Sequence, residues 1–164
     1  MNANIKNRIK KLALIIYDFD GVMTNNKLFV DQNGNEIVQV NRSDGLGVSQ
    51  IKKLNINQII ISTEKNPVVA ARAKKLGIKC FQAVSNKKKI IIEYCRRHSV
   101  PLDFVAFIGN DINDIDGMNI VGLKFCPSDA HCSIKKISDH IMHSKGGDGV
   151  IREMLDIINK YYGR

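Results

Sequence analysis

Leu12 to Tyr17 is an unbroken apolar run that stops abruptly at Asp18-Phe19-Asp20-Gly21. A run of this length, bounded by polar residues and glycine, suits a buried strand of the kind found inside a parallel sheet. The two carboxylates then stand at the carboxyl end of a core strand, where open α/β sheets place their ligands. Gly21 lets the chain turn sharply there. Carboxylates this close repel each other. A divalent cation relieves that repulsion, and hard oxygen ligands suit Mg²⁺. On its own, Asp-x-Asp is more often a solvated loop or an Asx turn. The apolar strand before it, with Gly21 and Thr24 after it, favours a functional site.

The rest of the chain repeats strand and helix signals. Leu28-Phe29-Val30 and Glu36–Val40 flank Asn33-Gly34, a strong hairpin signal. The hairpin follows the Asp pair directly and is expected to overhang it. Asp44 reads as the N-cap of a helix carrying Val48, Ile51 and Leu54. Gln58–Ile61 is a second buried strand, ending in Ser62-Thr63-Glu64. Asn66-Pro67 then starts a helix that Gly77 closes. Ile78–Phe81 reads as a third strand, and Asn86 opens the helix after it. Phe104–Ile108 is a fourth strand and ends in Gly109-Asn110-Asp111-Ile112-Asn113-Asp114, with a short helix to about Met118. Val121–Phe125 is a fifth strand, Ile137–Met142 a sixth, and the final helix starts near Asp148. Strands alternating with helices at this pace imply right-handed βαβ units. The expected fold is α/β: three Rossmann-like layers around a parallel sheet, in one domain over residues 1–164, without a cap domain.

Composition narrows the function. The apolar fraction is 44%, ordinary for a globular core, and no run approaches a membrane span. The net charge of +9 is spread over blocks such as Lys87-Lys88-Lys89, which mostly read as solvated helix faces. Aromatics are only 6%, and no nucleic-acid motif is present. The charge suits steering of a small anionic substrate. Cys80, Cys95, Cys126 and Cys132 form no Cys-x-x-Cys pair. They read as reduced thiols of a cytoplasmic protein, with Cys80 and Cys95 buried.

A parallel sheet brings the ends of its strands to one edge. That edge gathers Asp18 and Asp20, Ser62 and Thr63, Lys87, and the group Asn110, Asp111 and Asp114. These are the parts for metal-assisted phosphoryl transfer. Asp18 suits a carboxylate nucleophile. Asp20 suits the acid that protonates the leaving alkoxide and later activates water. Ser62 suits a hydrogen bond to a phosphoryl oxygen, and Lys87 suits neutralisation of the same group. Singly, each has a plainer explanation as turn, cap or solvated residue; their joint order favours the site.

Asp18-Phe19-Asp20-Gly21-Val22-Met23-Thr24 resembles the first motif of the haloacid dehalogenase-like phosphatases. Ser62 resembles the second, Lys87 the third and Gly109–Asp114 the fourth. The resemblance covers nearly the whole chain. Arg42-Ser43-Asp44-Gly45-Leu46-Gly47, Ser85-Asn86-Lys87 and the stretch Lys145–Glu153 resemble the uncapped branch that acts on phosphates of eight- and nine-carbon 3-deoxy-2-ulosonic acids. The resemblance implies Asp18 as nucleophile, Asp20 as acid and base, and an aspartyl-phosphate intermediate. It implies Mg²⁺ at Asp18, the Asp20 main-chain carbonyl and Asn110, with Asp111 and Asp114 contributing directly or through water. Substrate contacts are implied for Asp20, Thr63, Glu64, Asp44 and Gly45. Position 110 departs from the pattern, since Asp is common there and Asn carries no charge. Ser62-Thr63-Glu64 departs from the Thr-Gly-Arg of the octulosonate enzymes and resembles the nine-carbon, sialic-acid-like branch.

Two other readings compete. One is the non-catalytic oligomerisation or regulatory domain attached to sialic-acid cytidylyltransferases; retention of Asp18 and Asp20 favours an enzyme. A receiver-type signalling domain fits worse, because its reactive Asp lies on an interior strand. The apolar residues of the hairpin need a surface to cover, since a lone hairpin is marginal in water. The branch resembled here forms tetramers in which a neighbour helps close each site, so a homotetramer is expected.

Overall fold

Alternation along the first strand, β1 (Leu14–Tyr17), sets the layers of the molecule. All four of its residues are buried. Ile15 and Tyr17 face one apolar layer with Val48, Ile51, Ile108 and Ile158, while Leu14 and Ile16 face the other with Ile91, Phe107 and Met118. A strand buried on both faces has no polar parity to show, which is why its sequence is continuously apolar. The structure, a computed structural model, describes residue 1 and residues 3–162.

In chain order the elements are α1 (Ala3–Ile9), β1, β2 (Thr24–Val30), β3 (Glu36–Val40), α2 (Arg42–Lys53), β4 (Asn57–Ile61), α3 (Val68–Leu76) and β5 (Lys79–Phe81). Then follow α4 (Lys87–Arg97), β6 (Val105–Ile108), α5 (Ile115–Met118), β7 (Leu123–Cys126), α6 (Cys132–Ile137), β8 (His140–Ile141) and α7 (Val150–Tyr161). The sheet order is β5-β4-β1-β6-β7-β8. Every neighbouring pair is parallel, and Ile16 stands in register between Ile59 and Phe107. The residues of α2, α3 and α7 fill the layer of Ile15, whereas those of α4, α5 and α6 fill the layer of Leu14. This is the three-layer arrangement expected. Among the described residues the insertion at the carboxyl edge is the antiparallel β2–β3 hairpin, with no cap domain. No helix among them is long and apolar enough to cross a membrane.

Several local expectations are corrected. The first strand begins at Leu14, because α1 precedes it and buries Ile5 and Ile9 one turn apart. Those two residues are too few to show as a periodic run in a basic segment. The N-cap of α2 is Asn41, whose Oδ1 accepts the Ser43 N–H at 2.9 Å. Asp44 lies inside that helix, buried, and caps a different one. Its Oδ1 accepts the N–H groups of Ile151 (2.9 Å) and Arg152 (3.2 Å) at the start of α7. Helix α3 opens one residue later than expected, with the Val68 N–H bonded to Asn66 Oδ1 at 3.0 Å. Phe104 closes a 3₁₀ turn before β6, and the sixth sheet strand is only His140–Ile141. The short helix α6 carried too little pattern to be expected. Cys80 is half-buried, while Cys95 is buried as expected.

Candidate active site

The end of β1 is built to hold two carboxylates at a turn. The Asp18 N–H continues the ladder by donating to Ile108 O at 3.0 Å. The carbonyl of Phe19 then accepts from Val22, Met23 and Thr24, winding the chain into one tight turn. Phe19 is fully buried and anchors that turn. Gly21 has φ +75°, and a Cβ there would run into the Asn110 carboxamide, so glycine is needed for both conformation and approach. The Thr24 hydroxyl donates to Asp20 Oδ1 at 3.4 Å and accepts from the N–H groups of Gly21 and Asn26, both at 3.2 Å.

Beneath this turn lies a buried chain of charges. Lys87 Nζ is 2.7 Å from Asp18 Oδ1 and 2.6 Å from Asp114 Oδ1. Lys87 is the first residue of α4, whose N-cap Asn86 accepts the Lys89 N–H at 2.9 Å. The other Asp114 oxygen accepts the N–H groups of Asn110 (2.9 Å) and Asp111 (3.3 Å). Asp114 is 0% exposed with both oxygens engaged by protein donors. From there Asp114 positions Lys87 and the Asn110 backbone. Asp111 is half-exposed; its Oδ1 accepts the Ile112 N–H at 2.7 Å.

A cavity of about 320 Å³ opens above, lined by Asp18, Asp20, Asn26, Thr63, Asn110, Asp111, Ile112 and Asn113. Ser62 is 1% exposed beside this cavity, with its Oγ accepting the Glu64 N–H at 3.1 Å. Its backbone is tied to Phe81 O and to the Val84 N–H. Glu64 Oε1 accepts the N–H groups of Lys65 (2.6 Å) and Asn66 (2.8 Å). Asp44 and Gly45 are not brought to this cavity. Asp44 is spent on α7, and Gly45 lines a separate 550 Å³ cavity with Arg42, Ser49, Lys52, Arg72 and Lys75. Their position in α2 follows from the helix starting at Arg42, which turns Asp44 inward.

Burial raises the pKa of both carboxyl groups of the pair. Burial, then the Asp114 charge, pushes Asp18 up to about 7, opposed by the Lys87 ammonium and the Phe19 N–H. Burial and then the Glu64 charge raise Asp20, while the Thr24 hydroxyl opposes. Burial works against the Lys87 charge, but Asp18 and Asp114 outweigh it and raise its pKa. An acid held above its ordinary value suits proton donation near neutrality. The donors around the cavity are oxygen-rich: two Asp carboxylates, Asn110 and Asp111. That set fits a hard cation such as Mg²⁺, which takes one or two carboxylates and completes its shell with water and phosphate. Among the described residues no group of three or more His, Cys, Asp or Glu side chains is placed to hold a metal ion by itself.

Three residues at the mouth escaped the sequence reading as site residues: Asn26, Ile112 and Asn113. Ile112 and Asn113 were hidden inside a loop whose acidic members drew attention. The Asn25-Asn26 pair after Thr24 carried a usable signal, since Asn tolerates left-handed backbone and marks bulges.

The haloacid dehalogenase-like hydrolase family matches residues 6–154. The 3-deoxy-D-manno-octulosonate 8-phosphate phosphatase of Haemophilus influenzae is 29% identical over 161 residues, covering 98% of this chain and 89% of that one. The Moraxella catarrhalis enzyme of the same name, solved with a magnesium ion, phosphate and KDO, superimposes with a TM-score of 0.93 at 26% identity. That match covers 98% of this chain and 94% of the other. The cobalt-bound Haemophilus influenzae structure gives a TM-score of 0.90 at 29% identity, covering 95% and 92%.

Proposed function

The chain belongs to the haloacid dehalogenase-like hydrolases, and we propose that it is a Mg²⁺-dependent phosphatase of 3-deoxy-2-ulosonic acid phosphates. The observation that carries this reading is the Asp18–Lys87–Asp114 bridge below a cavity that also holds Asp20. An Asp18 oxygen attacks phosphorus and forms an aspartyl phosphate as the ester bond breaks. Asp20 gives its proton to the departing sugar alkoxide. The Asp20 carboxylate then takes a proton from water, whose oxygen attacks phosphorus and releases phosphate and free Asp18. Lys87 fixes the orientation of Asp18 and offsets negative charge gathering beside it. Bound Mg²⁺, held by Asp18, the Asp20 carbonyl and Asn110, would supply charge neutralisation for the phosphoryl oxygens. Ser62 is the expected donor to one of those oxygens.

Relatives named for octulosonate 8-phosphate support the substrate class. Glu64, beside Asp20, supports preference for a nine-carbon, sialic-acid-like substrate. The decisive assay is phosphate release from eight- and nine-carbon ulosonic acid phosphates, with metal chelated and then restored. Turnover is expected with Mg²⁺ only, faster on nine carbons, and absent in Asp18→Asn, which keeps the fold because an amide replaces the carboxylate isosterically. Unchanged turnover in Asp18→Asn rejects the mechanism.

The reading extends to the whole chain as one domain and to its assembly as a homotetramer in which a neighbour covers the hairpin and helps close the site. Phe29 is 75% exposed, and Leu28, Val30 and Ile37 are exposed beside it. All four cysteines are free, which fits work in the reducing cytoplasm.

A further inference from the structure

Asn26 is one of few non-glycine residues with left-handed backbone here, at φ +61°. It sits where the register of β2 against β3 shifts between Thr24 and Leu28, so it is the irregular residue of a bulge. Bulges re-aim a side chain, and residues held in left-handed backbone gather at ligand clamps. Asn26 lines the cavity that holds Asp18 and Asp20. Within the protein its carboxamide has no hydrogen-bond partner among the described residues, although its backbone N–H is bonded to Thr24 Oγ1. That same hydroxyl donates to Asp20. Asn26 is therefore tied, through one oxygen atom, to the group that protonates the leaving alkoxide.

This connection fixes which part of a substrate Asn26 faces. In the proposed reaction phosphorus meets Asp18 and the leaving oxygen meets Asp20, so the carbons beyond that oxygen begin in the cavity that Asn26 lines. A carboxamide offers one acceptor and two donors, which suits a hydroxyl that both gives and takes a hydrogen bond. We infer that Asn26 is a specificity-determining residue whose carboxamide binds the substrate hydroxyl nearest the phosphoester. It selects polyhydroxylated chains over simple phosphates. The inference rests on the reading of the site as a sugar-acid phosphatase.

Asn26→Gly is the test, because glycine adopts φ +61° without strain and removes only the carboxamide. Wild type and variant are compared on 3-deoxy-octulosonate 8-phosphate and on p-nitrophenyl phosphate, with melting temperature as a fold control. Loss of one such hydrogen bond is expected to lower kcat/KM on the sugar phosphate about tenfold, and to leave the aryl phosphate within about twofold, since it has no such hydroxyl. No loss on the sugar phosphate, or equal losses on both substrates, overturns the inference while the substrate reading stands. A wild-type enzyme that hydrolyses the aryl phosphate but no eight- or nine-carbon ulosonate phosphate overturns the substrate reading itself, and the inference with it.

Discussion

On the function proposed above, Asn110 bears on the strength of the metal site rather than on its reaction. Its backbone is locked by Asp114, and its side chain is pressed against Gly21, so the position of position 110 is fixed from both sides. What Asn lacks is charge. Asn110→Asp is expected to lower the Mg²⁺ concentration for half-maximal activity by roughly an order of magnitude, because affinity follows ligand charge count. A higher Mg²⁺ requirement in that variant would show that position 110 is not a ligand. At this scale the sequence was legible at and just beyond the strand ends: Asp18, Asp20 and Asn110 line one cavity, and Lys87, at the start of α4, bonds Asp18. It was misleading where a side chain reaches across the fold. Asp44 has the look of a local cap, and its partners are 107 and 108 residues away. Asp114, fully buried, braces Lys87, which lies 27 residues earlier in the chain. Neither fact leaves a local trace in the sequence.

Helices α2 and α7 form the most closely fitted pair of elements. A Cβ at Gly47 would come within 2.9 Å of Ile151 O, so the two backbones touch where Asp44 caps α7. Burial pushes the Asp44 carboxyl up to about 6, despite its two backbone hydrogen bonds and the nearby Arg72. Its second oxygen has no partner among the described residues. The folded value lies above the ordinary 3.8, so the folded state binds this proton more tightly. The group therefore favours folding when protonated, and that advantage is lost as pH rises from about 4 through about 6. Asp44→Asn keeps the accepting oxygen and removes the charge. Its melting temperature is expected to match wild type near pH 4 and to exceed it increasingly up to pH 7. A difference that does not change with pH would mean that the buried charge is not the cause. The elements themselves were read well from apolar periodicity, with errors confined to short or weakly patterned pieces such as α1, α6 and β8.

Taken whole, the molecule leaves its site open on the hairpin side, where the most exposed apolar residue, Phe29, pairs with Ile37 across β2 and β3. Two adjacent apolar side chains on a two-stranded ribbon need a partner surface. Light scattering at micromolar concentration is expected to give four times the chain mass. Phe29→Asp is expected to return it to one and to lower turnover of the sugar phosphate more than of an aryl phosphate. A single-chain mass for the unaltered protein would exclude the assembly. Layer architecture was legible in the sequence because the central strands are largely apolar and the longer helices carry an apolar stripe. Strand order was not, because nothing local records that β1 lies between β4 and β6. That order bears on how the protein is made. On the ribosome Asp18 emerges well before the strand on one side of it, which ends only at Ile108, and before Asp114 of its charge bridge. The Asp18 carboxylate is thus made well before the groups that enclose it. A nascent chain halted before they emerge displays an apolar strand with one flank bare, the kind of surface that makes folding intermediates prone to aggregate.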